Sequence, residues 1–164
     1  AQLGPDRRQV LLDQALEVGF EPGGLMGYSA WIHKFAEDAD VPVPLDLELV
    51  RAVLEPHDVG DPRLRFDPDG DLQFWIRAED GSEAEIFAGE TGILVERPHS
   101  GAVFGVVAEL VSRLGAVAID PREGRIVCRR EEYAHLPVGM REDAVVIEMT
   151  GEPLEAALLG RYPA

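Results

Sequence analysis

From residue 62 to residue 96, apolar residues recur at every second position, and this alternation constrains the fold more than any other feature of the chain. "RLRF" sets Leu64 and Phe66 against Arg63 and Arg65, and "LQFWIRA" sets Leu72, Phe74 and Ile76 against Gln73, Trp75 and Arg77. "EAEIFA" and "GILVE" come next, separated by "EDGSE" and "GETG". A period of two with glycine-containing turns predicts an antiparallel meander. "AVAID" and "RIVCR" repeat the pattern across "PREG" and predict a second hairpin, and "EDAVVIEMT" predicts a last strand.

Helical spacing appears on either side of these strands. In "PDRRQVLLDQALEVGF" Asp6 is placed to cap a helix with the stripe Leu11, Leu12, Ala15 and Leu16. In "YSAWIHKFAEDA" Tyr28, Trp31, Ile32, Phe35 and Ala36 fall at i, i+3, i+4, i+7 and i+8, which predicts a second helix. "VPVP" at 41–44 breaks it, and "LDLELVRAVLEP" predicts a third, short helix. "SGAVFGVVAELVSRLG" predicts a long apolar helix capped by Ser100 and stopped by Gly115. "EPLEAALLG" predicts a final helix with Pro153 in its first turn. The expected fold is α+β: an antiparallel sheet, meander plus hairpin, with the long apolar helix packed on one face and two to three N-terminal helices. Residues 1–44 are expected to form a helical extension packed on an α+β domain of residues 45–164.

The element order from residue 45, taken with the low isoelectric point, resembles that of small acidic secretion chaperones. That resemblance implies binding of extended segments of other proteins, and it is fold-level analogy.

Charge narrows the partners. Thirty-one acids against 15 bases give −16, and 17 of those acids lie between residues 37 and 96 beside only four arginines. Such a surface repels phosphate backbones, which argues against nucleic acid. No apolar run approaches the roughly 20 residues that span a bilayer, so no membrane partner is expected. The single cysteine, Cys128, fits a reducing compartment, and the expected location is cytoplasmic. Fourteen arginines against the one lysine, Lys34, suggest a GC-rich bacterial-type genome. The acidity reads either as a docking face for a basic protein or as a solvated surface adaptation.

"FDPDGDLQFW" offers Asp67, Asp69 and Asp71 as candidate metal ligands. A calcium loop of the EF-hand type needs its glycine later and a helix alongside, whereas Gly70 comes early between two strands. "VAIDPREGRIVC" keeps the same turn chemistry without the extra acids, so a turn accounts for the segment. "GGLMG" at 23–27 lacks the pattern of a phosphate loop, and the four histidines lack zinc-ligand spacing. Cys128 shares the inward alternation of Ile126 and reads as a buried structural thiol. No cofactor is called for.

The catalytic candidates are Glu85, Glu109 and His99, which would serve a small hydrolase or transferase with a carboxylate-lined pocket. A small-ligand-binding domain is a further alternative. The binding candidates are Trp75, Phe87, Arg77, Glu83 and Glu85 on the polar face of the predicted meander. Trp75 and Phe87 are too apolar to stand there uncovered without reason. An N-terminal helix, a second copy of the chain forming a homodimer, or a different partner would cover them. The leading expectation is an acidic, non-catalytic protein-interaction module of chaperone, immunity or assembly-subunit type, rather than an enzyme.

Overall fold

The computed structural model describes residues 28–37, 39–60 and 71–159. The predicted helix near residues 6–19, the "GGLMG" segment, the "RLRF" strand, Asp67 and Asp69 lie outside the described residues. Within them the protein is a mixed α+β fold around one seven-stranded, mostly antiparallel sheet. In chain order the elements are β1 (Ser29–His33), α1 (Leu47–Leu54), β2 (Leu72–Arg77), β3 (Glu83–Ala88), β4 (Ile93–Glu96) and α2 (Val103–Leu114). They continue with β5 (Val117–Ile119), β6 (Ile126–Cys128), α3 (Arg130–Tyr133), β7 (Ala144–Val146) and α4 (Gly151–Leu159). Across the sheet the strands run β2-β3-β4-β1-β5-β6-β7.

Strand alternation divides the interior between the two faces. Ala30, Ile32, Phe74, Ile76, Ile86 and Val127 point to the face covered by α1, α2 and α4, and they share one core with Val50, Leu110 and Leu154. On the other face Val117, Ile119, Ile126 and Cys128 pack under Phe35, Leu136 and Met140, with half-buried Trp31 at the margin. Among the described residues that second core lies over the β1, β5, β6 and β7 part of the sheet.

The helix expected over residues 28–36 is instead β1, the middle strand of the sheet, paired antiparallel with β4 on one side and β5 on the other. A central strand is buried on both faces, so its apolar residues form a run with no visible alternation, and five residues of such a run also satisfy helical spacing. Ala30 and Ile32 face the helices, while Ser29, Trp31 and His33 face the second core. The sheet therefore reaches across the boundary placed at residue 44. β7 pairs parallel with β6, not antiparallel, because the chain crosses over through α3 and the 3-10 turn Val138–Asp143 before entering it.

Helix ends are fixed by neighbours. Asp46 caps α1 by accepting from the Leu49 N–H. Ser100 does not cap α2; its hydroxyl donates to Glu155 of α4. The free N–H groups at the start of α2 go to the β2–β3 turn instead, Val103 to Ser82 Oγ at 2.8 Å and Ala102 to Asp80 Oδ2 at 2.9 Å. Gly101, at φ 129°, must be glycine there: a Cβ would sit 2.5 Å from Asp80 Oδ2. Gly115 ends α2 in the left-handed conformation, as its position in the sequence predicts.

Candidate docking face

The β2–β3 hairpin carries the residues that alternation placed on one polar face. Register sets Gln73 opposite Phe87, Trp75 opposite Glu85 and Arg77 opposite Glu83, and then Glu85 opposite Glu96 of β4. Trp75 is 49% exposed, and Phe87 is half-buried. All five predicted binding residues, Trp75, Arg77, Glu83, Glu85 and Phe87, are thereby brought onto one face.

Glu83 is the hub of its corner. Its carboxylate accepts from the Trp75 indole Nε1–H at 3.3 Å and from the Arg77 guanidinium at 3.4 Å. The Trp75 contact is a diagonal cross-strand pair and the Arg77 contact a directly opposed one, as the pleat allows. The Glu83 side chain is only 16% exposed, against 53% for Arg77, so the carboxylate is held under the two longer side chains. His99 closes the other side: its N–H donates to the Glu83 carbonyl at 2.8 Å, and its ring Nδ1 accepts the Glu83 N–H at 3.1 Å.

The outer edge of β2 is pinned at the same residue. The Trp75 N–H donates to Asp58 Oδ1 at 3.1 Å, and the Val59 N–H donates to the Trp75 carbonyl at 2.8 Å. At the tip of the hairpin Asp80 accepts from the Ser82 hydroxyl and N–H as well as from Ala102, and these bonds hold its carboxyl down to about 2. Trp75 thus stands on backbone fixed from three directions while its ring remains half in solvent.

The catalytic candidates do not converge. Glu85 lies on the face away from the helices, whereas Glu109 of α2 lines a cleft of about 570 Å³ on the helical side together with His57, Arg77 and Glu79. The Nδ1 lone pair that would make His99 a base is engaged by the Glu83 N–H. Cys128 is buried, and burial together with the nearby Glu132 charge pushes its thiol up to about 11, which keeps it a thiol. Asp71 is exposed just before β2, and among the described residues no three histidine, cysteine, aspartate or glutamate side chains are grouped to hold a metal ion. No helix of the described residues is long and apolar enough to cross a membrane.

Sequence reasoning missed Asp58 and the part played by His99. Both reach the hairpin over long separations, 17 residues for Asp58 to Trp75 and 16 for Glu83 to His99. No local pattern announces such contacts. No protein-family model matches this chain, and no curated protein or solved structure matches it either.

Proposed function

We propose that the protein is an acidic, non-catalytic interaction module that docks a basic segment of a partner protein on the β2–β3 face. The observation that carries this reading is Trp75: a half-exposed indole on immobilised backbone, tied to the Glu83 carboxylate and opposed by Glu85. An aromatic face beside carboxylates attracts a lysine or arginine side chain, by about 0.5–1 kcal/mol at an exposed site and more once water is excluded. Phe87 and Gln73 extend the surface along the strands, which suits an extended segment better than a compact knob.

The test uses a synthetic peptide alternating arginine and leucine, with binding followed by indole fluorescence and by calorimetry. Trp75→Ala is expected to weaken binding about tenfold, the order of an aromatic anchor, with little change in the unfolding midpoint. Glu85→Gln is expected to weaken it less. Binding that responds to neither substitution is diffuse charge attraction and removes the assignment of this face. Light scattering on the unliganded protein addresses the second copy: a dimer that Trp75→Ala dissociates would give the face to self-association instead.

A further inference from the structure

We infer that the docking face holds an arginine-selective pocket, in which a guanidinium of the partner segment lies between Glu85 and Glu96 with its stem across the Trp75 indole. The inference rests on the docking reading and names the side chain that anchors it. Register lines up four residues on the face away from the helices: Trp75 of β2 opposite Glu85 of β3, Glu85 opposite Glu96 of β4, and Glu96 opposite Ser29 of β1. Two of these neighbours are carboxylates directly opposed on adjacent strands, an arrangement that destabilises a sheet. The Gly89 N–H bonds the Gly92 carbonyl at the end of the β3–β4 ladder. Counting back along the alternation makes Glu85 and Glu96 a hydrogen-bonded pair, with Cα atoms about 5.5 Å apart.

The other acids of this region are answered. Glu83 accepts from Trp75 and Arg77, Asp58 from the Trp75 and Gly60 N–H groups, and Asp80 from Ser82 and Ala102. Among the described residues Glu85 and Glu96 have no hydrogen-bond or ion-pair partner, and Arg97, next along the chain, bridges to neither. Ser29 is an independent sign of a ligand: it is 1% exposed, and its hydroxyl has no hydrogen-bond partner among the described residues. Ala30 and Ile32 turn toward the helices, so Ser29 turns to the face of Glu96. The Arg97 N–H bonds the Tyr28 carbonyl, which makes the adjacent Ser29–Glu96 pair the closer, non-hydrogen-bonded kind, with Cα atoms about 4.5 Å apart.

The chemistry of this row selects its cation. Exposure falls from Trp75 at 49% through half-buried Glu85 and Glu96 to buried Ser29, so a long side chain enters over the indole and ends with its head inward. A guanidinium carries five N–H donors in a planar fork, enough for both carboxylates and the Ser29 oxygen, and its plane stacks on an aromatic ring. An ammonium has three donors on one point and holds its water more tightly. A calcium ion takes about six to eight oxygen ligands and gains nothing from the indole. The free protein bears the repulsion between Glu85 and Glu96, and the complex is relieved of it, so the pair trades stability for affinity.

The experiment compares the arginine–leucine peptide with a lysine–leucine peptide of equal length, by calorimetry on the native protein, Glu96→Gln and Trp75→Ala. The native protein is expected to bind the arginine peptide about tenfold more tightly, the order of one charge-assisted hydrogen bond. Glu96→Gln should bring the arginine peptide close to the lysine one. It should also raise the urea midpoint of the unliganded protein, because it ends the repulsion and gives Glu85 an amide donor. Equal affinities in the native protein, a preference that survives Glu96→Gln, or a midpoint that falls in that variant would each overturn the pocket. The docking reading is tested apart from it. If Trp75→Ala weakens both peptides while the native protein does not tell them apart, the docking face stands and the arginine pocket is lost. If Trp75→Ala weakens neither, both are lost.

Discussion

His33 shows what a titratable side chain costs at the centre of a sheet. It lies on the strand buried from both sides, 3% exposed, with Nδ1–H donating to the Thr91 carbonyl at 2.8 Å. Its ring stacks on Trp31 at 5.6 Å and rests over Gly92, where a Cβ would come within 2.7 Å of the ring. Nε2 has no hydrogen-bond partner among the described residues. Burial therefore lowers its pKa below the ordinary 6.5, with the Thr91 bond opposing weakly. Proton counting gives the sign. As pH falls through 6.5 the unfolded chain takes up a proton that the folded one resists, so stability drops with decreasing pH. Asp80 acts in a separate window: its depressed carboxyl supports the fold above 3.8, and that support is lost as pH falls toward about 2. Urea unfolding of the native protein should thus show a midpoint that declines between about pH 7 and about pH 5. His33→Asn should start lower and decline less. Equal slopes in the two proteins would remove His33 as the cause.

At the scale of elements, β1 is where sequence reasoning failed, and the failure has an energetic consequence. Ile32 is fully buried in the main core, contributed by a strand with a partner on each side. Ile32→Ala is expected to cost about 2–5 kcal/mol, the range for emptying a packed site. A value under about 1 kcal/mol by chemical denaturation would mean that the site collapses freely, as a peripheral helix could. The β2–β3 part of the meander was legible because both strands have one wetter face: Gln73, Trp75 and Arg77 announce alternation that Ser29, Trp31 and His33 cannot. The same alternation gave the face of every predicted binding residue. It could not give the cap of α2, since Ser82 reaches Val103 across 21 residues, while Ser100, the local candidate, is drawn to Glu155. It also could not separate Glu85 from Glu109, because which side of the sheet a helix covers is decided by packing, not by spacing along the chain.

Across the whole molecule, strand order turns a stretch of acidic sequence into an acidic end. Residues 37–96 supply α1 and β2 to β4, and β2, β3 and β4 stand together at one side of the sheet. The arginines at the other side are largely matched: Arg125 pairs with buried Asp120 and with Glu123, and Arg129 pairs with Glu132. The β2–β4 segment on which Trp75 is exposed, residues 71–96, carries seven acids against the one arginine Arg77. A field of this kind acts on approach rather than on the final contact, because it is felt beyond touching distance and is screened within about 10 Å at 0.1 M salt. For the arginine–leucine peptide, stopped-flow measurement should show an association rate that falls about tenfold or more from low to moderate salt, with a nearly constant dissociation rate. Trp75→Ala should do the reverse, raising dissociation while leaving the salt dependence of association intact. If the association rate ignores salt, the acidity is a surface adaptation and steers nothing. If instead dissociation carries the salt dependence, the carboxylates Glu83 and Glu85 act in the bound contact itself, and the attraction belongs to this corner rather than to the acidic end as a whole.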